Sequence, residues 1–166
     1  MTTHIKIIAP LLEEIHADLS RPHTFAAERV GFLTCGVAHT ADDTLVLLGS
    51  RWHPIDDVDY IRDASVGAAI GPAAFRMILK FAYHHPVSVF HVHRHDHRGL
   101  PEFSSTDTRS AQKYVPGFFN VQRSLPHGAI VLSIDQAAGN VWLPGRTASA
   151  RIDRFKIVGA PLRSWP

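Results

Sequence analysis

At 166 residues, with 45% hydrophobic and 19% charged residues, the chain has the size of one domain and enough apolar residues to bury a core. The formal net charge is only +2 and the 17 Lys and Arg residues are scattered, which argues against nucleic-acid binding. No apolar run approaches the roughly 20 residues of a membrane span, and the first residues do not resemble a signal peptide. We therefore expect a cytoplasmic protein that binds neither nucleic acid nor membranes.

The first half of the chain predicts a helix followed by a β-hairpin. Residues 5–8 predict a short strand or the beginning of a helix, and a helical face then runs to Arg21-Pro22 through Leu11, Leu12, Ile15 and Leu19. Two strands are predicted at residues 28–37 and 44–52, joined by the polar turn 40–43. Residues 54–63 are expected to form an acidic loop.

The second half predicts two more helices and further strands. Pro72 is well placed in a first helical turn, and the apolar stripe after it ends near Pro86; its members are Phe75, Ile78, Leu79 and Ala82. A strand at residues 87–93 follows. Ser104 or Ser105 is expected to cap a helix that runs to Tyr114 and stops at Pro116. Residues 127–134 are predicted to pair with 140–143, and residues 151–158 add a last strand. The whole pattern predicts one α/β or α+β domain with a mixed β-sheet flanked by helices.

Histidine is the residue that this sequence uses most unusually. The chain has 12 histidines, and six of them fall between positions 84 and 97: His84, His85, His91, His93, His95 and His97. Residues two apart in a strand point to the same face, so an HxH pair can offer two imidazoles to one metal ion. Because Cys35 is the only cysteine, a carboxylate must complete the ligand set, and Asp107 begins the next helix. Two histidines, one aspartate and an open water position are typical of a catalytic zinc site.

Three registers of the HxH pair compete, and burial decides among them. With His91 and His93 as ligands, the opposite face of the strand carries Phe90 and Val92, which suit a covered sheet. The other two registers would bury Arg94, alone or with a second charge, at a cost of several kcal/mol if unpaired. We therefore choose His91 and His93. The competing interpretation is a solvated histidine-rich loop that scavenges metal nonspecifically.

Two motifs in this sequence resemble those of a known family. The segment Phe90-His-Val-His93 followed by Phe103-Ser-Ser-Thr-Asp107 resembles the HxH…SxxD signature of the JAMM, or MPN-plus, zinc metallopeptidases, including their prokaryotic JAB-type members. Glu28-Arg-Val-Gly31-Phe-Leu33 is similar to the family's E-x-x-G-x-L segment. The resemblance covers residues 5–145 and implies that residues 1–166 form a single JAB/MPN-like domain with cytidine-deaminase-like layering.

The resemblance also implies a role for each site residue. His91, His93 and Asp107 would bind one zinc ion per chain, Glu28 would be the general acid/base, and Ser104 would donate to the oxyanion. The implied activity is hydrolysis of the amide bond after the C-terminus of a ubiquitin-like protein, in a bacterial cytoplasmic pathway that includes conjugation proteins. The sequence departs from the family at Arg94, where a proline is usual, and in the 13 residues between His93 and Asp107, a longer spacing. We assign the extra residues to the loop 94–102.

Other interpretations of these residues remain open. Glu28 alone would more often be an exposed carboxylate, and Ser104 is equally well explained as a helix cap. His95 and His97 are donors that support the metal ligands, substrate contacts or, most often, surface residues. Alternative functions are a zinc metalloamidase on a small amide or peptide, a metal-free scaffold of the same fold, and a cupin-like dioxygenase. The dioxygenase would use His95, His97 and Glu102, but cupins are double-sheet jelly rolls and the predicted helices argue against one.

Overall fold

Nine strands form one sheet and three helices cover it in the computed structural model, which describes residues 1–166. The helices are α1 (Ala9–Leu19), α2 (Pro72–His84) and α3 (Ser105–Phe118), and Asp57–Asp59 form a 3-10 turn. None of these helices has both the length and the apolar character needed to cross a membrane. The strands are β1 (Thr2–Ile8), β2 (Val30–His39), β3 (Thr44–Pro54), β4 (Ser88–Arg94), β5 (His127–Leu132), β6 (Ala137–Trp142), β7 (Ser149–Arg151), β8 (Arg154–Val158) and β9 (Arg163–Trp165).

The sheet is mixed and strongly curled into a half-barrel. Its strand order is β7-β6-β5-β4-β2-β3-β1-β8-β9. β1 lies between β3 and β8 and is parallel to both, and β4 is parallel to β5, whereas the other pairs are antiparallel. The prediction of a mixed sheet flanked by helices is therefore confirmed.

The two faces of the sheet are covered by different helices. Along β4, Phe90 and Val92 join the apolar cluster that contains the buried side chains of α1. Val89, on the other face, joins the cluster that α2 and α3 contribute to. Because side chains alternate along a strand, His91 and His93 share the face of Val89 and point toward α2 and α3. The core therefore has two layers, and the histidines lie in the second.

Several elements match the sequence predictions closely. Leu11, Leu12, Ile15 and Leu19 are all buried on one face of α1. The predicted hairpin is formed by β2 and β3, and α2 begins at Pro72 and ends at His84, before Pro86. The residue preceding a proline disfavours helical backbone, which explains why α2 stops there.

Other boundaries were predicted wrongly. α3 does not stop at Pro116 but continues to Phe118, since Val115 and Phe118 are both buried and their packing offsets the hydrogen bond that the proline cannot donate. β5 and β6 are joined by the shorter turn 133–136, so β6 begins at Ala137. The single last strand expected at residues 151–158 is divided into β7 and β8, and β9 was not predicted.

Candidate metal centre

His91 and His93 lie on β4, a strand that is paired on both sides within the sheet. On β2 and β5, respectively, His91 is paired with Phe32 and Ala129, and His93 with Val30 and Val131. His93 is only 3% exposed, whereas His91 is half-buried with its ring against Tyr114 at a centroid distance of 4.7 Å. The two imidazole centroids are 6.2 Å apart. Central strands thus fix both side chains, and the opposite face of β4 carries the buried Phe90 and Val92 that the chosen register requires.

Asp107 is brought to the end of β4 by the first turn of α3. Ser104 is the N-cap of this helix: its Oγ accepts a hydrogen bond from Asp107 N–H at 3.1 Å, and Asp107 Oδ2 accepts one from Ser104 N–H at 2.8 Å. This reciprocal capping box fixes the carboxylate. The same Oδ2 lies 3.4 Å from His93 Nε2 and 3.9 Å from His95 Nε2.

The charge states of His91 and Asp107 suit the binding of a cation. Burial, followed by the neighbouring His93, lowers the pKa of His91 to about 3, so His91 is neutral at physiological pH. Burial by itself raises the pKa of the Asp107 carboxyl, but His93 and the hydrogen bonds from Ser104 hold it well below its ordinary value. A neutral imidazole and an ionised carboxylate are the forms in which these side chains bind metal.

Two buried nitrogens in the cluster have no hydrogen-bond partner: His91 Nδ1 and His93 Nε2. An unpaired buried polar atom is costly, so each of these two nitrogens is a candidate metal ligand. Two donors bound to one tetrahedral zinc at about 2.0 to 2.2 Å lie roughly 3.3 to 3.6 Å apart. The 3.4 Å between His93 Nε2 and Asp107 Oδ2 has that value. His93 and Asp107 therefore fit two ligand positions of a zinc ion, whereas His91 is outside the group of residues whose ligand atoms lie within 4.8 Å of one another, which consists of Glu28, His93 and His95.

Glu28 and His95 complete the cluster around His93. Glu28, His93 and His95 each place one ligand atom within 4.8 Å of the other two. Glu28 precedes β2 and is half-buried, and His95 follows β4, where its backbone N–H donates to Leu132 O at 2.8 Å. The half-buried position of His95 beside Glu28 and His93 differs from the surface position that was favoured among the alternatives left open for it. His97 is exposed.

A cleft of about 460 Å³ opens beside the cluster. Its lining includes residues 63 and 66–70, residues of α3 between Thr106 and Tyr114, Asp107 among them, and Glu28, His91 and His93. Burial, together with the charge of Asp107, raises the pKa of the Tyr114 phenol, which keeps its hydroxyl protonated. The cleft gives a substrate access to four of the five predicted site residues.

Ser104 is the predicted site residue that does not line the cleft. It is exposed and is itself the helix cap, so the alternative in which Ser105 caps the helix does not apply. Its oxyanion role stays a prediction. Glu102 of the dioxygenase alternative is exposed, like His97, and the single sheet with three helices differs from the double-sheet jelly roll of a cupin.

One residue at the site was left open by the sequence and a second was not found from it. His95 continues the i, i+2 alternation of His91 and His93, which made it a ligand in the competing registers. Gly67 lies against Glu28 and is 39 positions away from it in the chain, so no local pattern could indicate the contact.

Comparisons with known proteins leave the family open. The structure is similar to the STIL N-terminal domain of Trichoplax adhaerens, with a TM-score of 0.42 and 13% sequence identity. This similarity covers 82% of the present chain and 40% of that one, so the chain spans less than half the length of this neighbour. Similarity at this level carries no argument about function. No family model matches the sequence, and no curated protein matches it.

Proposed function

We propose that the protein is a zinc-dependent peptidase or isopeptidase of the JAMM type. One observation carries the proposal: the unpartnered Nε2 of the buried His93 lies 3.4 Å from the Asp107 carboxylate, and both residues line an open cleft. The proposal includes the JAB/MPN-like layering of the fold over residues 1–166 and a cytoplasmic location.

His91, His93 and Asp107 would hold one zinc ion. When bound, the ion would act as a Lewis acid on the scissile carbonyl and make water a stronger nucleophile. Each of the three residues has its own support: the neutral, half-buried imidazole of His91, the unpaired Nε2 of His93, and the capping box that orients Asp107. His95 would support Asp107 from beside the ligands, since its Nε2 is 3.9 Å from Asp107 Oδ2.

Glu28 would carry the proton of the reaction. Its carboxylate lines the cleft and one of its oxygens lies within 4.8 Å of ligand nitrogens of His93 and His95, which places it beside the proposed metal ligands. A carboxylate in this place can accept a proton from the attacking water and return it to the leaving amine. It needs no contact with the ion to do so.

The proposed substrate is a ubiquitin-like protein or its conjugate, cleaved after its C-terminal residue. The wall of the cleft at Gly67, Ala68 and Ala69 carries side chains no larger than a methyl group. Such a wall lets the backbone of an extended, narrow peptide approach closely, and main-chain hydrogen bonds can then supply affinity. Conjugation-pathway proteins are the partners that this substrate implies.

Metal analysis is the first test of the proposal. Purified protein loaded with zinc and desalted should contain about one ion per chain, and Asp107→Asn should lose it while keeping an acceptor for the capping bond. His97→Ala, which changes an exposed histidine outside the cluster, is the matched control and should retain the ion. Absence of stoichiometric metal from the wild type would instead identify a metal-free scaffold.

Cleavage is the second test. A ubiquitin-like protein fused through its C-terminal glycine to a reporter should be cut after that glycine, and both a chelator and Glu28→Gln should abolish the cut. Glu28→Gln should keep its zinc and its unfolding midpoint. Hydrolysis of a small amide without cleavage of any fusion would move the protein to the metalloamidase alternative, and full activity of Glu28→Gln would refute the assigned mechanism.

A further inference from the structure

The Glu28 carboxylate lies directly against Gly67. A Cβ atom added to Gly67 would be 2.8 Å from both Cδ and Oε2 of Glu28 and 3.2 Å from Oε1. Unbonded heavy atoms reach their optimal separation at about 3.5 to 4.0 Å, so these distances are too short for two side chains. The carboxylate therefore occupies the space that any side chain at position 67 would need.

The backbone of Gly67 is fixed to the same residue. Its carbonyl oxygen accepts hydrogen bonds from Ala27 N–H at 2.9 Å and from Glu28 N–H at 3.1 Å. The segment that carries Gly67 is closed at its base by the bond from Ile61 N–H to Ala69 O at 2.8 Å. Because both ends of the contact are held, Gly67 is a fixed surface against which the Glu28 side chain rests.

Glycine is required at this position for space and not for backbone conformation. The glycines with positive φ are Gly99 and Gly145, so Gly67 has a backbone conformation that alanine can adopt. The atoms that an alanine methyl would meet belong to the far end of a flexible side chain. An alanine would consequently displace the carboxylate and leave the backbone in place.

We propose that Gly67 is a positioning residue that sets where the Glu28 carboxylate stands in the cleft. This inference rests on the proposed role of Glu28 as the proton carrier. It makes the segment 63–70 part of the site and assigns Gly67 an effect on the reaction that its own lack of functional groups would not suggest.

Gly67→Ala tests the inference, with Gly36→Ala as the matched control. A Cβ at Gly36 meets only Leu48 Cβ at 4.0 Å, which is an ordinary contact. Gly67→Ala should lower kcat about 10- to 100-fold, the loss expected when a reacting group moves by about 1 Å. It should keep the zinc content and the unfolding midpoint, and Gly36→Ala should keep all three. Wild-type kcat in Gly67→Ala would overturn the inference.

A double-mutant cycle separates an effect through Glu28 from a general one. Glu28→Asp shortens the side chain by one methylene and withdraws the carboxylate from position 67. In that background Gly67→Ala should change the residual kcat by less than about twofold, because the contact has gone. A loss as large as in the wild-type background would show that Gly67 acts independently of Glu28 and would contradict the inference.

A measurement that needs neither bound metal nor catalytic activity tests the contact between Gly67 and Glu28 separately from the proposed function. In zinc-free protein, the 13C resonance of Glu28 Cδ, assigned through its absence in Glu28→Gln, should move in Gly67→Ala and not in Gly36→Ala. A shift in a protein that hydrolyses no amide would support the contact while the proposed function fails. An unmoved resonance would overturn the inference even in an active enzyme.

Discussion

At the scale of single residues, the site is organised around His93. Its Nε2 is buried and unpartnered, and three residues lie around it: Asp107 from the first turn of α3, His95 from just after β4 and Glu28 from just before β2. His91 lies two residues before His93 on β4, where it packs on Tyr114. The two histidines flanking His93 at i−2 and i+2 therefore compete for the place of the remaining nitrogen ligand.

Removing each flanking histidine should separate these roles. We expect His91→Ala to lose stoichiometric zinc, because His91 is the assigned ligand. His95→Ala should retain one ion per chain with an affinity weakened about 10- to 100-fold, the usual effect of losing a group that supports a ligand. Competition with a chelating dye measures both affinities.

The opposite order of zinc affinities in these two variants would change the ligand assignment. If His95→Ala loses the ion and His91→Ala binds it at wild-type affinity, His95 is the ligand and the register inferred from strand burial is wrong. His97→Ala, on the same loop as His95 but exposed, provides the reference affinity for a histidine substitution without contact to the cluster.

At the scale of elements, α3 links the fold to the site through its N-terminus. Ser104 and Asp107 form a reciprocal capping box, so the hydroxyl that the resemblance assigns to the oxyanion also fixes a proposed ligand. The hydroxyl accepts a hydrogen bond from Asp107 N–H and retains its own proton to donate. One hydroxyl therefore has the groups that both roles need, and substitution separates the two roles.

Ser104→Ala should lower the free energy of unfolding by about 1 kcal/mol, within the usual range of roughly 0.5 to 2 kcal/mol for loss of an N-cap. Ser104→Asn should restore this stability, because asparagine is an equally good cap. If Ser104 donates to the oxyanion, both variants should retain zinc and lose about 10²- to 10³-fold in kcat. Denaturant titration and steady-state kinetics give the two quantities.

Recovery of kcat together with stability in Ser104→Asn would assign Ser104 to capping alone. Its exposure and its position outside the cleft lining make this comparison informative, since capping needs neither burial nor access to substrate.

The elements that local sequence specifies were predictable, and those that depend on distant contacts were not. The beginning of α2 at Pro72 and its end before Pro86 follow from local backbone chemistry. The end of α3 depends on the burial of Phe118 against the sheet, which no pattern around Pro116 reveals. The parallel pairing of β1 with β8 joins residues about 150 positions apart and has no local signal.

The same distinction applies to the site. The spacing of His91 and His93 and the capping motif around Asp107 are local, and they led to residues that the fold brings to one cleft. The role of His95 was left open with a surface position favoured, and in the structure its N–H donates a hydrogen bond to Leu132 O of β5 just after the end of β4. Such a contact appears only once β5 is in place.

At the scale of the whole molecule, a fully buried histidine ties the site-bearing strand to the rest of the sheet. His127 begins β5, and its Nδ1 accepts a hydrogen bond from Val89 N–H of β4 at 3.0 Å. Its Nε2 lies 2.9 Å from Gln122 O and donates to it, since Nδ1 is the accepting nitrogen. Both nitrogens are satisfied by a neutral ring, and a protonated ring would lose the bond to Val89.

The stability of the metal-free protein should therefore fall in mild acid. Burial lowers the pKa of His127 from 6.5 to about 4, so between these pH values the unfolded chain binds a proton that the folded chain does not. The contribution of His127 is fully present above pH 6.5, decreases as the pH falls, and is lost by about pH 4. At about 1.4 kcal/mol per pH unit, the full loss is roughly 3 kcal/mol.

His127→Gln, which keeps hydrogen-bonding groups without titrating, should show a pH dependence smaller by a similar amount. Denaturant unfolding at pH 7.5, 5.5 and 4, with a chelator present, measures the difference, and parallel curves for the two proteins would refute the assignment.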